Sequence, residues 1–142
     1  MSEVNHILAH EYFHLWCAEQ IQVEALRRPD YTKPLVTGTL WLNEGATEYM
    51  SLVLLYHAGI VDQRGFQAEI ARKYAQVFSQ QKIATKKTLV ETSRGWTNAG
   101  LPEFMTITLS IYERGAVNFF AMDLSIRSQT QESWVSPTRS DT

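Results

Sequence analysis

The chain has 142 residues, 44% of them hydrophobic, enough to bury one core and so to form one domain or one lobe of a larger one. Thirteen Lys and Arg stand against fifteen Asp and Glu, a formal charge of -2. This near balance, with no basic cluster interleaved with aromatics, argues against nucleic acid or an anionic membrane surface as a partner. The longest apolar run, Leu52 to Tyr56, is far too short to span a bilayer.

The first predicted helix starts with Ser2 as its cap, runs to about Leu26 and stops at Arg28-Pro29-Asp30. It contains His10-Glu11-Tyr12-Phe13-His14, an H-E-x-x-H motif. Residues four apart share a helix face, so His10 and His14 can direct their imidazoles at one ion while Glu11 lies beside them. His6 extends the same spacing, but His6 and His14 are about 12 Å apart along the axis, at ~1.5 Å per residue, and one zinc cannot span that. Only the His10 and His14 pair carries an adjacent carboxylate, so His6 is read as a neighbour and not a ligand. Cys17, on the same helix, is the sole cysteine; it cannot form an internal disulfide and reads as buried filler, not a nucleophile.

Tyr31 to Leu40, with Pro34 and Gly38, reads as a connecting loop. A second helix is predicted from about Asn43 to near Gly59. Glu44 opens it, and Gly45 removes a side chain where two helices must come close. Glu44 is the candidate third metal ligand, and the fourth position is left to water. Glu48 faces the same way one turn later. It is either a hydrogen-bond partner for the outer nitrogen of His10 or His14, or a solvated carboxylate at the core edge.

Asp62 is predicted to cap a third helix, about Arg64 to Gln81, with Phe66, Ile70, Tyr74, Val77 and Phe78 as its core stripe. Lys82 to Lys87 reads as a solvated basic turn. A short helix follows over Thr88 to Arg94, then a loop holding Gly95, Trp96, Asn98, Gly100 and Pro102. Trp96 reads as packing against the neighbouring helix, with the border of a cleft as the alternative. The last helix is predicted from near Thr108 to Ser128, with Tyr112 in its first turn and Phe119, Phe120 and Leu124 buried. No internal repeat is present. Gln129 to Thr142 is polar, rich in Ser and Thr, and expected to be a frayed tail.

Three stretches in order carry a resemblance: His10-Glu11-Tyr12-Phe13-His14-Leu15-Trp16, Trp41-Leu42-Asn43-Glu44-Gly45, and Ser110-Ile111-Tyr112-Glu113-Arg114-Gly115-Ala116. Together they resemble the gluzincin zinc metallopeptidases. The bulky wording of the first motif, the long spacer before Glu44 and Leu124 to Arg127 look most like the glycyl aminopeptidase family, over roughly Asn5 to Arg127. Arg27 and Arg28 match only loosely the basic stretch that follows the histidine helix in that family.

The resemblance implies a mainly α fold, the helical half of a thermolysin-like catalytic domain, with a lobe over 1-128 and a tail over 129-142. It implies Zn2+ held by His10, His14 and Glu44. Peptide bonds would be cut by a zinc-activated water, with Glu11 as general base and Tyr112 stabilising the tetrahedral intermediate. The expected partners are a peptide substrate, an upstream β-domain and a downstream PDZ domain of a longer bacterial parent protein, and further copies of the chain joined through exposed apolar surface. No signal-peptide pattern occupies Met1 to His10, and the chain opens almost directly on the motif helix. The expectation is a catalytic-domain fragment, whose parent an export route to the periplasm would suit. The alternative from another class is a zinc-stabilised helical module that binds without cutting, or an inactive piece of the peptidase.

Overall fold

The computed structural model of the chain describes residues 2–20, 27–28, 30–34, 36–84, 87–98 and 100–131. Those residues form helices α1 (Glu3–Gln20), α2 (Leu40–His57), α3 (Gln63–Ala84), α4 (Leu89–Gly95), α5 (Leu101–Leu109) and α6 (Gly115–Thr130). A single 3-10 turn, Trp96–Asn98, separates α4 from α5. Between α5 and α6 the chain does not leave helical geometry. Ser110–Arg114 form a π-helical turn, so residues 101–130 make one long rod with one wide turn in its middle. No strand occurs among the described residues, and the fold is mainly α.

The central element is α2. Its sequence is apolar nearly all round, with Glu44 and Glu48 its only acidic residues, and such a helix must be enclosed. It is flanked by α1, by the rod of the π turn and α6, and by α3 and α4. Tyr49, Leu52, Val53, Leu55 and Tyr56 from α2 join Val61, Phe66 and Ala116 in the main core. The turn after α2 is made by Gly59 at φ +70, a left-handed conformation that glycine adopts without strain.

Two helices come into backbone contact at Gly45 and Gly115. A Cβ on Gly45 would stand 2.5 Å from the Gly115 Cα, and one on Gly115 would stand 2.7 Å from the Gly45 Cα. The two backbones therefore touch where α2 crosses the rod, as the loss of a side chain at Gly45 foretells. Glu44 lies one residue from this contact and Tyr112 three, so the crossing sets their separation.

Several boundaries differ from the sequence expectation. Helix α2 begins three residues early, at Leu40, because Trp41 donates its backbone N–H to the Ser93 hydroxyl at 3.1 Å, a tertiary anchor that no local signal announces. The helical rod that carries Tyr112 begins at Leu101, with Pro102 in its first turn, so Tyr112 sits in mid-rod and not in an opening turn. Helix α3 continues to Ala84 through part of the expected basic turn. Tyr74 and Phe78, expected in the core, are 48% and 51% exposed, and Leu124 is 44% exposed. Phe119 and Phe120 are half-buried. Trp96 packs on Phe104 with ring centroids 4.7 Å apart.

The short helix α4 carries a full capping box between Thr88 and Glu91, and Asp62 caps α3 by accepting from the Gly65 N–H at 2.7 Å. Gln129 and Thr130 belong to α6, while 132–142 and the expected run of the first helix over 21–26 lie outside the described residues. Among the described residues, no helix is long and apolar enough to cross a membrane.

Candidate metal centre

Helix α1 lays the face carrying His10 and Cys17 against α2, so both are buried, with His14 half-buried beside them. Glu44 rises from the facing side of α2. Three atoms converge: His10 Nε2 and His14 Nε2 are 3.0 Å apart, and Glu44 Oε2 is 3.5 Å from the first and 3.3 Å from the second. Ligands on a tetrahedral zinc with bonds of about 2.0–2.1 Å stand roughly 3.3–3.4 Å apart, so this triangle has the size of one face of that tetrahedron.

The donor set fits a cation as well as the distances do. Thr47 donates its hydroxyl to the Asn43 carbonyl at 2.8 Å, so it can only accept from His14 Nδ1, which lies 3.3 Å away. His10 Nδ1 is 3.0 Å from Glu48 Oε2, a carboxylate and therefore an acceptor. Both imidazoles thus carry their proton on Nδ1 and turn a lone pair inward at Nε2. Glu44 Oε2 is buried and receives no aligned donor. Two imidazole lone pairs and a carboxylate crowded together repel one another unless a positive charge sits among them.

Without a metal, a proton answers that demand. Burial disfavours the charged form of His10, but contacts with Glu44 and Glu48 outweigh it and push its pKa up to about 9. Burial likewise opposes ionisation of Glu44, and contacts with His10, His14 and Tyr112 override it, holding the carboxyl down at about 2. Glu48 is lowered further still: desolvation is overcome by His10, His6 and the charge of Lys73.

A pocket of about 240 Å3 opens beside this triangle, lined by His6, Ile7, His10, Glu11, Glu48 and Tyr112. Glu11 is exposed at its rim. The Tyr112 ring stacks on His10, with centroids 5.7 Å apart and planes 18° apart. Burial, followed by the carboxylates of Glu44, Glu48 and Glu11, pushes the Tyr112 phenol well above its ordinary value, so it stays a hydrogen-bond donor across neutral pH. His6 sits one turn before His10, with Nε2 3.2 Å from Glu48 Oε1, outside the converging three.

All five sequence candidates, His10, Glu11, His14, Glu44 and Tyr112, are therefore gathered at one place. Sequence reasoning missed Lys73 and Glu113. Lys73 is 1% exposed, and its ammonium bonds Glu48 Oε1 and, at 3.1 Å, Glu113 Oε2. A signal existed: Phe66, Ile70, Lys73 and Val77 follow core spacing, and a lysine there asks for a buried partner.

Among known proteins, a family model described as M61 glycyl aminopeptidase matches residues 3–118 of this chain. No curated protein and no solved structure matches it.

Proposed function

This chain belongs to the M61 glycyl aminopeptidase family, a family of peptidases, and on that premise we propose that it carries a zinc-dependent aminopeptidase site acting on the N-terminal residue of peptides, with glycine as the preferred residue. The observation that carries the reading is the inward convergence of His10 Nε2, His14 Nε2 and Glu44 Oε2 at 3.0–3.5 Å, with both Nδ1 hydrogens engaged elsewhere. These three side chains would hold the ion. When bound, zinc supplies Lewis acidity, which makes water nucleophilic near neutral pH and polarises a carbonyl.

The remaining steps fall to the chain's own groups. Glu11 is the general base: its carboxylate, at the pocket rim, accepts a proton from the attacking water and returns it to the departing amine. Tyr112, kept protonated by its surroundings, donates its hydroxyl hydrogen to the oxygen on which charge develops. The exposed carboxylate of Glu11 at the pocket rim favours a cationic amino end over an anionic carboxyl end.

Metal content by elemental mass spectrometry tests this first. The expected result is near one zinc per chain, lost in Glu44→Ala and in a His10/His14 double alanine variant. Retention of zinc by both variants would send the ligand assignment elsewhere. Hydrolysis of a glycyl anilide compared with its N-acetylated form then tests the requirement for a free amine.

A further inference from the structure

Lys73 is the most deeply buried charge among the described residues, and its surroundings close a circuit around the pocket. Its ammonium bonds Glu48, whose other oxygen receives the His10 Nδ1 hydrogen at 3.0 Å. It also bonds Glu113, the residue after Tyr112 in the π-helical turn, at 3.1 Å. The circuit is completed by Tyr112 stacking back on His10 at 5.7 Å. Arg72 Nη1, half-exposed, stands 4.0 Å from Glu113 Oε1, and His6 Nε2 stands 3.2 Å from Glu48 Oε1.

A buried ammonium between two buried carboxylates gives little stability over an apolar replacement of similar size, because desolvation offsets the attraction. Its placement has a different consequence. One carboxylate fixes the tautomer and the ring plane of His10. The other belongs to the turn from which Tyr112 projects. An imidazole that carries its hydrogen bond to a held carboxylate is a better and better-aimed metal ligand, an effect of about 10–100-fold in affinity.

We infer that Lys73 is a positioning residue that orients the metal-facing nitrogen of His10 through Glu48 and the Tyr112 phenol through Glu113, coupling the two sides of the site through one cation. The inference rests on the zinc reading above.

The test uses the 142-residue chain and zinc or cobalt(II) alone as probes. Lys73→Met should lower zinc affinity about 10–100-fold in competition with a chromophoric chelator, at unchanged helical circular dichroism. The d–d absorption of the cobalt(II) form should change shape, which a loss of stability alone would not cause. In a Glu48→Gln background, Lys73→Met should have little further effect on zinc affinity, because the path through Glu48 is already cut. Equal losses in both backgrounds, or unchanged affinity in the single variant, overturn the inference.

Should Lys73→Met fail to fold, the wild-type chain still decides. The 15N resonance of the Lys73 ammonium should shift when zinc is added to the metal-free protein, and an unmoved resonance overturns the inference. A wild-type chain that binds no zinc overturns the zinc reading itself, and the inference falls with it. Zinc bound with Lys73 uninvolved overturns the inference alone.

Discussion

A neutral imidazole has one lone pair, and in His10 the neighbour Glu48 decides where it points. Fixing the proton on Nδ1 leaves Nε2 as the ligand atom, and in the absence of metal the contacts with Glu44 and Glu48 outweigh burial and make His10 a strong base, with a pKa of about 9. Zinc must displace that proton. Apparent zinc affinity should therefore rise at least about tenfold per pH unit up to about pH 9. Glu44, at about 2, is already ionised and adds no slope in this range. Calorimetry in buffers of different ionisation heat should find at least about one proton released at pH 7.5, and none would contradict the assignment of His10. Glu11 holds no metal in this reading, so Glu11→Gln should keep the full zinc content and lower kcat by about 10²–10⁴-fold in the peptidase. Normal turnover in that variant would remove Glu11 from the chemistry.

At the scale of elements, two devices set the site. The first is the contact of Gly45 with Gly115. Gly45→Ala drives a methyl to 2.5 Å from backbone that cannot swing aside, so the helices must part. A loss of roughly 1–3 kcal/mol or more in chemical denaturation is expected, together with weaker zinc retention because Glu44 moves with the crossing. An unchanged midpoint would mean that the rod yields elsewhere. The second device is the π-helical turn, which inserts an extra residue into a helical circuit and so aims Tyr112 at His10 while Glu113 reaches Lys73. Tyr112→Phe should retain zinc and lower kcat about 10²-fold, and an unaffected kcat would remove its hydroxyl from the reaction.

The two devices were unequally visible in the sequence. Gly45 beside Glu44 announced a close crossing, and the four-residue spacing of His10 and His14 announced the metal face, because both follow from local geometry. Nothing local distinguishes i→i+5 from i→i+4 bonding, so the early start at Leu101 and the mid-rod position of Tyr112 needed the fold. Tyr74 and Phe78 lie at the side of the α3 face on which Lys73 and Val77 are covered, and periodicity alone cannot tell how wide a partner is.

On the scale of the whole molecule, α1 packs chiefly against α2. Its outward face carries Val4, Ile7, Leu8, Tyr12, Leu15 and Trp16, each more than half exposed. We propose that this face drives association between copies of the chain, as such patches do when nothing covers them. Light scattering should show a mass that rises with concentration and falls back in Leu8→Glu, whereas a monomer at all concentrations would refute it.

That one-sided attachment gives the site a second meaning. A zinc ion shared by His10, His14 and Glu44 would close a loop of roughly 35 residues, and a cross-link of that span removes about 4 kcal/mol of chain entropy from the unfolded state. Chelation should then lower the melting temperature and release the amides of α1 to exchange before those of α2 and α6. For this protein a chelator would act as a reducing agent acts on a disulfide-stapled one: it would cut a covalent-like link in the topology, and the loose end would be the helix that carries the histidines.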